Sequence, residues 1–518
     1  MTSPDVTRPP LTPYAVSGLL AAATGTAVGH LVAAFVAPSA SPVVAIGGRV
    51  IDATPTPVKD WAVSTFGTAD KVVLVASIVL VTLGLAAAFG ALARAHRTAA
   101  LIGLVALVAL AGLATLGDKS GGIVDLLPAS VTGVVGVSLA AYLWGICDRQ
   151  VAKDATAAGM PPTPGAGTAR RSLLLAGGAS AAVAVLAAAA GQALAGPRKV
   201  VSKLALPQSV TRLPALPAGL ETTVPGVSPL VTPVAEFYRI DTALTIPRID
   251  PAEWTLTIEG DIDNPVTLTM ADLLSFPVEE RDITLCCVSN EVGGDLISSA
   301  RWLGVRTRDV LREVGVRPSV EQILSISKED MSISTPIQAL TDDRGALFAF
   351  GMNGVELPAE HGFPVRLVTP GLYGFVGATK WLKRLIATTY HENPAYWTVR
   401  GWAEKADVLT QSRIDTPRDG SSVSAGTVVI GGVAWAQGRG IGRVEVRIDD
   451  GPWIEATMGP DAGIDFWRQW YTPWDATAGE HRIAVRATDL TDATQPEERT
   501  SVVPRGATGW HSISVSVG

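Results

Sequence analysis

Five apolar stretches crowd the first 195 residues of this 518-residue chain. Each comes close to the ~20 residues a helix needs to cross a hydrocarbon core. They run over about residues 15–37, 72–93, 99–116, 127–147 and 172–194, and are rich in Ala, Gly, Val and Leu, the small and aliphatic residues that let helices pack closely in lipid. Arg8 precedes the first stretch, Arg94 and Arg97 follow the second, and Arg149, Lys153, Arg170 and Arg171 lie between the fourth and fifth. With five spans all three groups fall on one side, which cationic bias makes cytoplasmic. The expectation is an all-α transmembrane bundle over residues 1–195, with everything after it outside the cytoplasmic membrane. Arg170-Arg171 before an apolar run also resembles a twin-arginine export signal; the plainer reading is a pair of membrane anchors.

The remaining chain changes character three times. Residues 196–234 are rich in Pro and weakly periodic, which reads as an extended linker. Over 235–411, alternating segments such as Trp254–Gly260 mix with short helical patches at Met270–Ser275 and Thr307–Val314, a pattern for an α+β domain. Over 412–518 come short alternating strands and turns, including the hairpin signal Asp450-Gly451, which fit an immunoglobulin-like β-sandwich without its disulfide. The fold class is therefore multi-domain: α bundle, α+β domain, sandwich. A formal net charge of −7, with no basic run, excludes a nucleic-acid-binding surface.

Three cysteines, Cys147, Cys286 and Cys287, cannot build a disulfide framework, and no Cys-x-x-Cys spacing exists. The adjacent pair ends an apolar run, Thr284-Leu285-Cys286-Cys287, and is followed by the loop-forming Asn290-Glu291-Val292-Gly293-Gly294. A thiol at a strand end facing a loop suits a nucleophile or a soft metal ligand; a buried structural thiol is the bland alternative. Further on, Asn353-Gly354, His361-Gly362-Phe363-Pro364-Val365-Arg366, Gly374–Gly377 and Lys380-Trp381-Leu382 combine glycine-rich turns with fixed cations. Such turns let backbone amides approach an anion, while Arg and Lys supply charge-assisted bonds to phosphate.

Together these segments resemble the sulfite oxidase family of molybdopterin-dependent oxidoreductases over about residues 235–518. The match lies in a Leu-x-Cys-x-x-Asn loop, an Asn-Gly-x-x-Leu-Pro-x-x-His-Gly-x-Pro-x-Arg stretch and Lys-Trp-Leu. Trp467-Arg468-Gln469-Trp470 and Gly509-Trp510-His511 resemble signatures of the family's dimerisation domain. The resemblance implies that Cys287 is the thiolate ligand to molybdenum and that Cys286 points the other way; a vicinal disulfide or a swapped register stays open. It further implies that His361, Arg366 and Lys380 bind the pterin or its phosphate, with Asn290 and Asp330 as additional cofactor contacts. Arg239 and Arg468 match the early and late arginines of the family's substrate pocket, and a homodimer through the sandwich follows from the same likeness.

Two departures qualify the substrate. Where sulfite-oxidising members carry arginine after the Cys-x-x-Asn loop, this chain has Glu291 and Val292. The family's active-site tyrosine is replaced by Trp402, with Tyr390 and His391 nearby in sequence. An acid in place of a base weakens binding of a dianion. The expected activity is two-electron oxygen-atom transfer on a small, sulfur-containing substrate, with electrons passing to an external carrier or a quinone. The stretches before residue 195 offer only His30 and His96 for a haem. Rival readings are a reductase of sulfoxides or related oxides, and a membrane scaffold or sensor without chemistry.

Overall fold

The computed structural model describes residues 11–66, 69–116, 122–157, 166–195, 203–241, 244 and 246–518, and the chain divides into two compact units. The first holds residues 1–200 with 243–245, and the second holds 201–242 and 246–518.

Among its described residues the first unit is helical. Leu11–Val36, Asp70–Ala93, Arg97–Leu116, Ile123–Ala152 and Arg171–Leu194 are long and apolar enough to cross a membrane. Two shorter helices, Pro42–Ala53 and Thr56–Phe66, stand between the first two and carried no span-length apolar signal. Glycine sets the closest packing. A Cβ on Gly18 would lie 2.3 Å from the Ala86 carbonyl oxygen, and one on Gly90 would lie 2.3 Å from that of Tyr14. The helices Leu11–Val36 and Asp70–Ala93 thus touch backbone to backbone, the packing that small residues permit in lipid. Of the cations used to orient the spans, Arg8 lies outside the described residues, as do the side chains of Lys153 and Arg170.

The second unit begins with a correction. The stretch expected to be a linker is extended, but from Lys203 onward it is docked as a strap. Val210 N donates to Val278 O (2.8 Å), Leu220 N to Gln469 Oε1 (2.7 Å) and Ser228 N to Asp415 Oδ2 (2.9 Å). Leu230 is 1% exposed. Proline-rich backbone looks the same in sequence whether solvated or packed; here its amides find acceptors and its apolar side chains find a core.

Two sheets and short helices, Thr307–Val314 among them, form the α+β lobe. One sheet runs in the order Val266–Thr269, Thr255–Gly260, Leu382–Thr388, Gln322–Ser327, Ser332–Pro336. Its Thr255–Gly260 and Leu382–Thr388 pair is parallel. The other runs Val278–Cys286, Ile297–Arg306, Leu347–Met352, Val355–Glu356, with Arg366–Val368 also paired to Leu347–Met352. Leu256, Ile258, Val305, Phe348, Phe350 and Leu385, all fully buried, form its main core. The C-terminal lobe packs a four-stranded sheet, containing Gly426–Trp435 and Arg468–Ala476, against a five-stranded sheet containing Gly479–Asp489 and His511–Val517. Ile430, Trp470, Val446, Val485 and Ile513 lie in the shared core.

Trp467 pins strap, lobes and thiol strand together. Its backbone N–H donates to Thr284 Oγ1 and its indole N–H to the Leu230 carbonyl, both at 2.8 Å. Trp467→Ala should cost about 3–5 kcal/mol, the usual range for emptying a buried aromatic site. Trp467→Phe, which keeps most of the bulk but strands the Leu230 carbonyl, should cost about 1–3 kcal/mol. The shift of the urea midpoint, followed by tryptophan fluorescence, checks both.

Candidate active site

The strand Val278–Cys286 becomes apolar toward its end, and Ile283 to Cys286 are all buried. Its ladder with Ile297–Arg306 reaches Cys286 opposite Ile297. One residue further, Cys287 N donates to Leu296 O (2.9 Å), and Asn290 N closes the turn on Cys287 O (3.0 Å). Buried Asn290 holds the loop from the far side, its Oδ1 accepting from Leu296 N at 2.8 Å. The two thiols are free and unequal: Cys286 lies in the core at 1% exposure, whereas Cys287 is half-buried. Burial pushes both thiols above their ordinary range, Cys286 the further; hydrogen bonds to Ser289 partly offset the effect at Cys287.

A cationic cradle forms where three segments meet. His361 ends a short turn, and Gly362 follows with φ +112°. A Cβ there would sit 3.0 Å from Arg366 Cβ and 3.1 Å from Lys380 Cα, so glycine is what lets these residues converge. Arg366 is buried, and its guanidinium donates to the carbonyls of His361 (3.0 Å), Ala378 (3.4 Å) and Leu367 (3.5 Å) while lying over the Trp302 ring. Burial without a carboxylate in contact lowers its pKa to about 10. Lys380 Nζ is held by Asp241 and by the Glu360 carbonyl (3.1 Å), above the Trp381 ring. Burial, reinforced by Arg366 and Arg239, lowers its pKa to about 8 despite Asp241. The buried Asp241 carboxylate also takes Arg239 Nε on its other oxygen. Burial and Arg366 bring His361 down to about 4, so the ring is neutral; its Nε2, 3.3 Å from the Val234 carbonyl oxygen, carries the proton.

Tyr238 joins cradle and thiol loop. It stacks on Phe237, which in turn meets His361 edge-on at 5.4 Å, and its phenol is held in the protonated form first by burial and then by the two thiols. Asp330 stands one turn from the cradle: Lys328 N donates to Trp381 O (2.8 Å), and Asp330, at φ +61°, takes Lys383 Nζ at 3.3 Å on one oxygen. Six residues expected at the site therefore fall into two groups that Tyr238 links, Cys287 and Asn290 on the thiol loop and Arg239, His361, Arg366 and Lys380 in the cradle. Asp330 borders it. Arg468 is placed otherwise, with Nε on the Gly459 carbonyl (3.1 Å) and Nη1 on Asp461 (3.0 Å). Sequence reasoning missed Tyr238, Asp241 and Trp302. Asp241 left one faint signal, since in an extended Arg239-Ile240-Asp241 segment alternate side chains share a face.

The donor set fits a pterin-held metal. Among the described residues no three of His, Cys, Asp and Glu converge as a metal group, so a metal held at Cys287 would need its remaining ligands from a cofactor. A buried guanidinium bonded only to carbonyls, a half-neutralised lysine and the partnerless buried Thr369 hydroxyl await an anionic, hydrogen-bonding group.

Comparison with known proteins agrees. The model of the oxidoreductase molybdopterin binding domain matches residues 243–397, and that of the Mo-co oxidoreductase dimerisation domain matches 403–518. These two domains define a molybdopterin-dependent oxidoreductase, and its cofactor is the molybdenum cofactor. More narrowly, the chain belongs to the sulfite oxidase family. It is 31% identical to sulfite oxidase of Gallus gallus over 53% of this chain and 71% of that one. It is 32% identical to mitochondrial sulfite oxidase of Homo sapiens over 55% of this chain and 62% of the human one. NADH nitrate reductase 1 of Oryza sativa subsp. japonica matches at 28% over 52% of this chain and 36% of the other. The sulfane dehydrogenase SoxCD structure from Paracoccus pantotrophus shares the fold, with a TM-score of 0.50, 24% identity, and coverage of 60% of this chain and 87% of that one.

Lys380 gives the cradle a pH signature. A cation whose pKa is lowered by folding is most costly to the folded state while fully protonated, and that cost fades as pH rises from about 8 toward the ordinary lysine value. A bound anion reverses the shift. Sulfate, which does not titrate in this range, should therefore bind the cofactor-free protein with proton uptake near pH 8–9 and more weakly as pH rises further. Calorimetry in buffers of different ionisation enthalpy checks this, and Lys380→Arg should remove the uptake.

Proposed function

We propose that this chain catalyses two-electron oxygen-atom transfer on a small sulfur-containing substrate. In the oxidative direction, substrate and water give the oxygenated product, two protons and two electrons. The observation that carries the reading is the pairing, through Tyr238, of the half-buried thiol Cys287 with a cationic cradle of Arg366, Lys380 and neutral His361. The molybdenum cofactor supplies the redox and oxo-transfer chemistry when bound. Cys287 serves as its single protein thiolate, and Arg366, Lys380 and His361 hold the pterin's anionic end. Asn290 fixes the thiol loop through the Leu296 amide, and Asp330 adds a contact from the neighbouring turn. Arg239, at the exposed edge, orients the substrate's oxygen. Arg468 has this role only if it leaves Asp461.

The five apolar helices support a multi-pass membrane protein with its catalytic unit on the extracytoplasmic side, exported through the twin-arginine signal at Arg170-Arg171. Electrons pass to an external carrier or a quinone. The two-sheet C-terminal lobe supports an immunoglobulin-like sandwich that pairs two copies. Glu291, exposed on the thiol loop where an oxyanion site would place a base, favours a second reading: reduction of sulfoxides or related oxides at the same centre.

Cys287→Ser should lower turnover by more than about 100-fold, because even outer-shell partners of a metal are worth 10–100-fold. Folding and pterin content should stay near wild type. Steady-state assays of metal-loaded protein with an artificial electron acceptor, alongside pterin analysis, check this; undiminished turnover would remove Cys287 as the ligand.

A further inference from the structure

The C-terminal lobe grips the thiol loop at three consecutive residues. Arg499 Nη2 donates to the Val292 carbonyl (3.5 Å), the His511 ring lies against Gly293, and Arg413 Nη1 donates to the Gly294 carbonyl (2.8 Å). Only glycine admits the middle contact: Gly293 has φ +83°, and a Cβ on it would come within 2.3 Å of His511 Cδ2. His511 is itself fixed, since its Nδ1 accepts from Ile414 N at 3.0 Å. Ile414 follows Arg413 in the strand Gln411–Thr416, so one strand serves two of the three grips.

Arg413 is the strongest of them. It is buried, and each of its side-chain nitrogens is committed: Nε to Asp415 Oδ1 (2.6 Å), Nη1 to Gly294 O, and Nη2 to Ser228 Oγ on the strap (2.9 Å). Asp415 closes the ring, its other oxygen accepting from Ser228 N at 2.9 Å. The planar fork of a guanidinium is what lets one side chain hold loop, strap and carboxylate at once. From Gly294 the restraint reaches the thiol in two steps. A Cβ on Gly294 would stand 2.7 Å from Asn290 Oδ1, the acceptor of Leu296 N, and Asn290 N donates to Cys287 O (3.0 Å).

From this we infer that Arg413 is a positioning residue for the Cys287 thiolate: it clamps the loop 290–294 to the C-terminal lobe, with His511 and Arg499 completing the grip. The inference rests on the reading of Cys287 as the protein ligand to the metal. It gives the C-terminal lobe a part in the metal site beyond pairing two copies, without any side chain of that lobe touching metal or substrate. Residues that orient a ligand from outside the ligand shell are worth about 10–100-fold in metal affinity or activity.

The test uses the full-length protein, cofactor-free and metal-loaded, as wild type, Arg413→Gln, Arg413→Lys and Ser228→Ala. In cofactor-free protein the alkylation of Cys287 by iodoacetamide is followed by peptide mass, with buried Cys286 as the internal reference. Arg413→Gln should speed it at least about tenfold, the scale of one lost charged hydrogen bond, with Cys286 still unreactive. In metal-loaded protein the same variant should lower kcat about tenfold with KM little changed, and shift the metal's electron paramagnetic resonance signal. Arg413→Lys, which keeps a cationic donor for the Gly294 carbonyl, should restore most of both. Ser228→Ala, which leaves the loop bond intact, should match wild type. Unchanged Cys287 alkylation in folded Arg413→Gln would overturn the inference, and normal molybdenum content in that variant would leave the oxygen-transfer reading standing. Should Arg413→Gln fail to fold, Gly293→Ala, which forces His511 off the loop, takes its place; wild-type alkylation there would overturn the inference equally. Folded wild type without molybdenum would defeat both.

Discussion

A guanidinium buried among carbonyls, with no carboxylate in contact, is the constraint on which the catalytic unit turns. Arg366 can stand there only because Gly362 brings the His361 carbonyl within reach, because Ala378 turns its carbonyl inward, and because the Trp302 ring lies beneath. Charges buried in this way are tolerated where a partner ion completes them. The neighbours obey the same demand. Lys380 shares Asp241 with Arg239, so the cradle keeps a positive surplus while its outermost arginine is held in place. The neutral state of His361 follows first from burial and then from those cations, since a further charge beside them would be repelled.

The thiol side is governed by hydrogen bonds more than by charge. Cys287 sits one residue beyond a buried ladder, and its loop is tied by Asn290 and by the C-terminal lobe. Arg413 Nη1 donates to Gly294 O (2.8 Å) and, through Nη2, to Ser228 Oγ on the strap (2.9 Å). His511 packs against Gly293, where a Cβ would come within 2.3 Å of its ring. The C-terminal lobe is therefore part of how the thiol is aimed. Rigid support of this kind is what a metal ligand requires if its geometry is to survive turnover.

Much of this was legible in the sequence, for unequal reasons. Span-length apolar runs need only length and composition, so the five long helices were visible; Pro42–Ala53 and Thr56–Phe66 are too short to announce themselves. The helix Thr307–Val314 was readable from its periodicity. The strap was misread because extended proline-rich chain carries no mark of what it docks against. In the site, Cys287, His361, Arg366 and Lys380 belong to dense local motifs. Asp241 does not: its partnership with Lys380 spans 139 positions and exists only in the fold. Arg468 had a local signature, but Asp461, seven residues away, takes its guanidinium.

Molybdenum and released pterin, measured per chain in folded wild type and in Arg366→Met, test the central claim most directly. Methionine keeps the apolar bulk while deleting the buried charge proposed to meet the cofactor's anionic end. Near-stoichiometric metal and pterin in wild type, with both largely lost in the variant, is the predicted result. Equal occupancy in the two proteins, or none in folded wild type made in a molybdenum-replete host, would contradict the account.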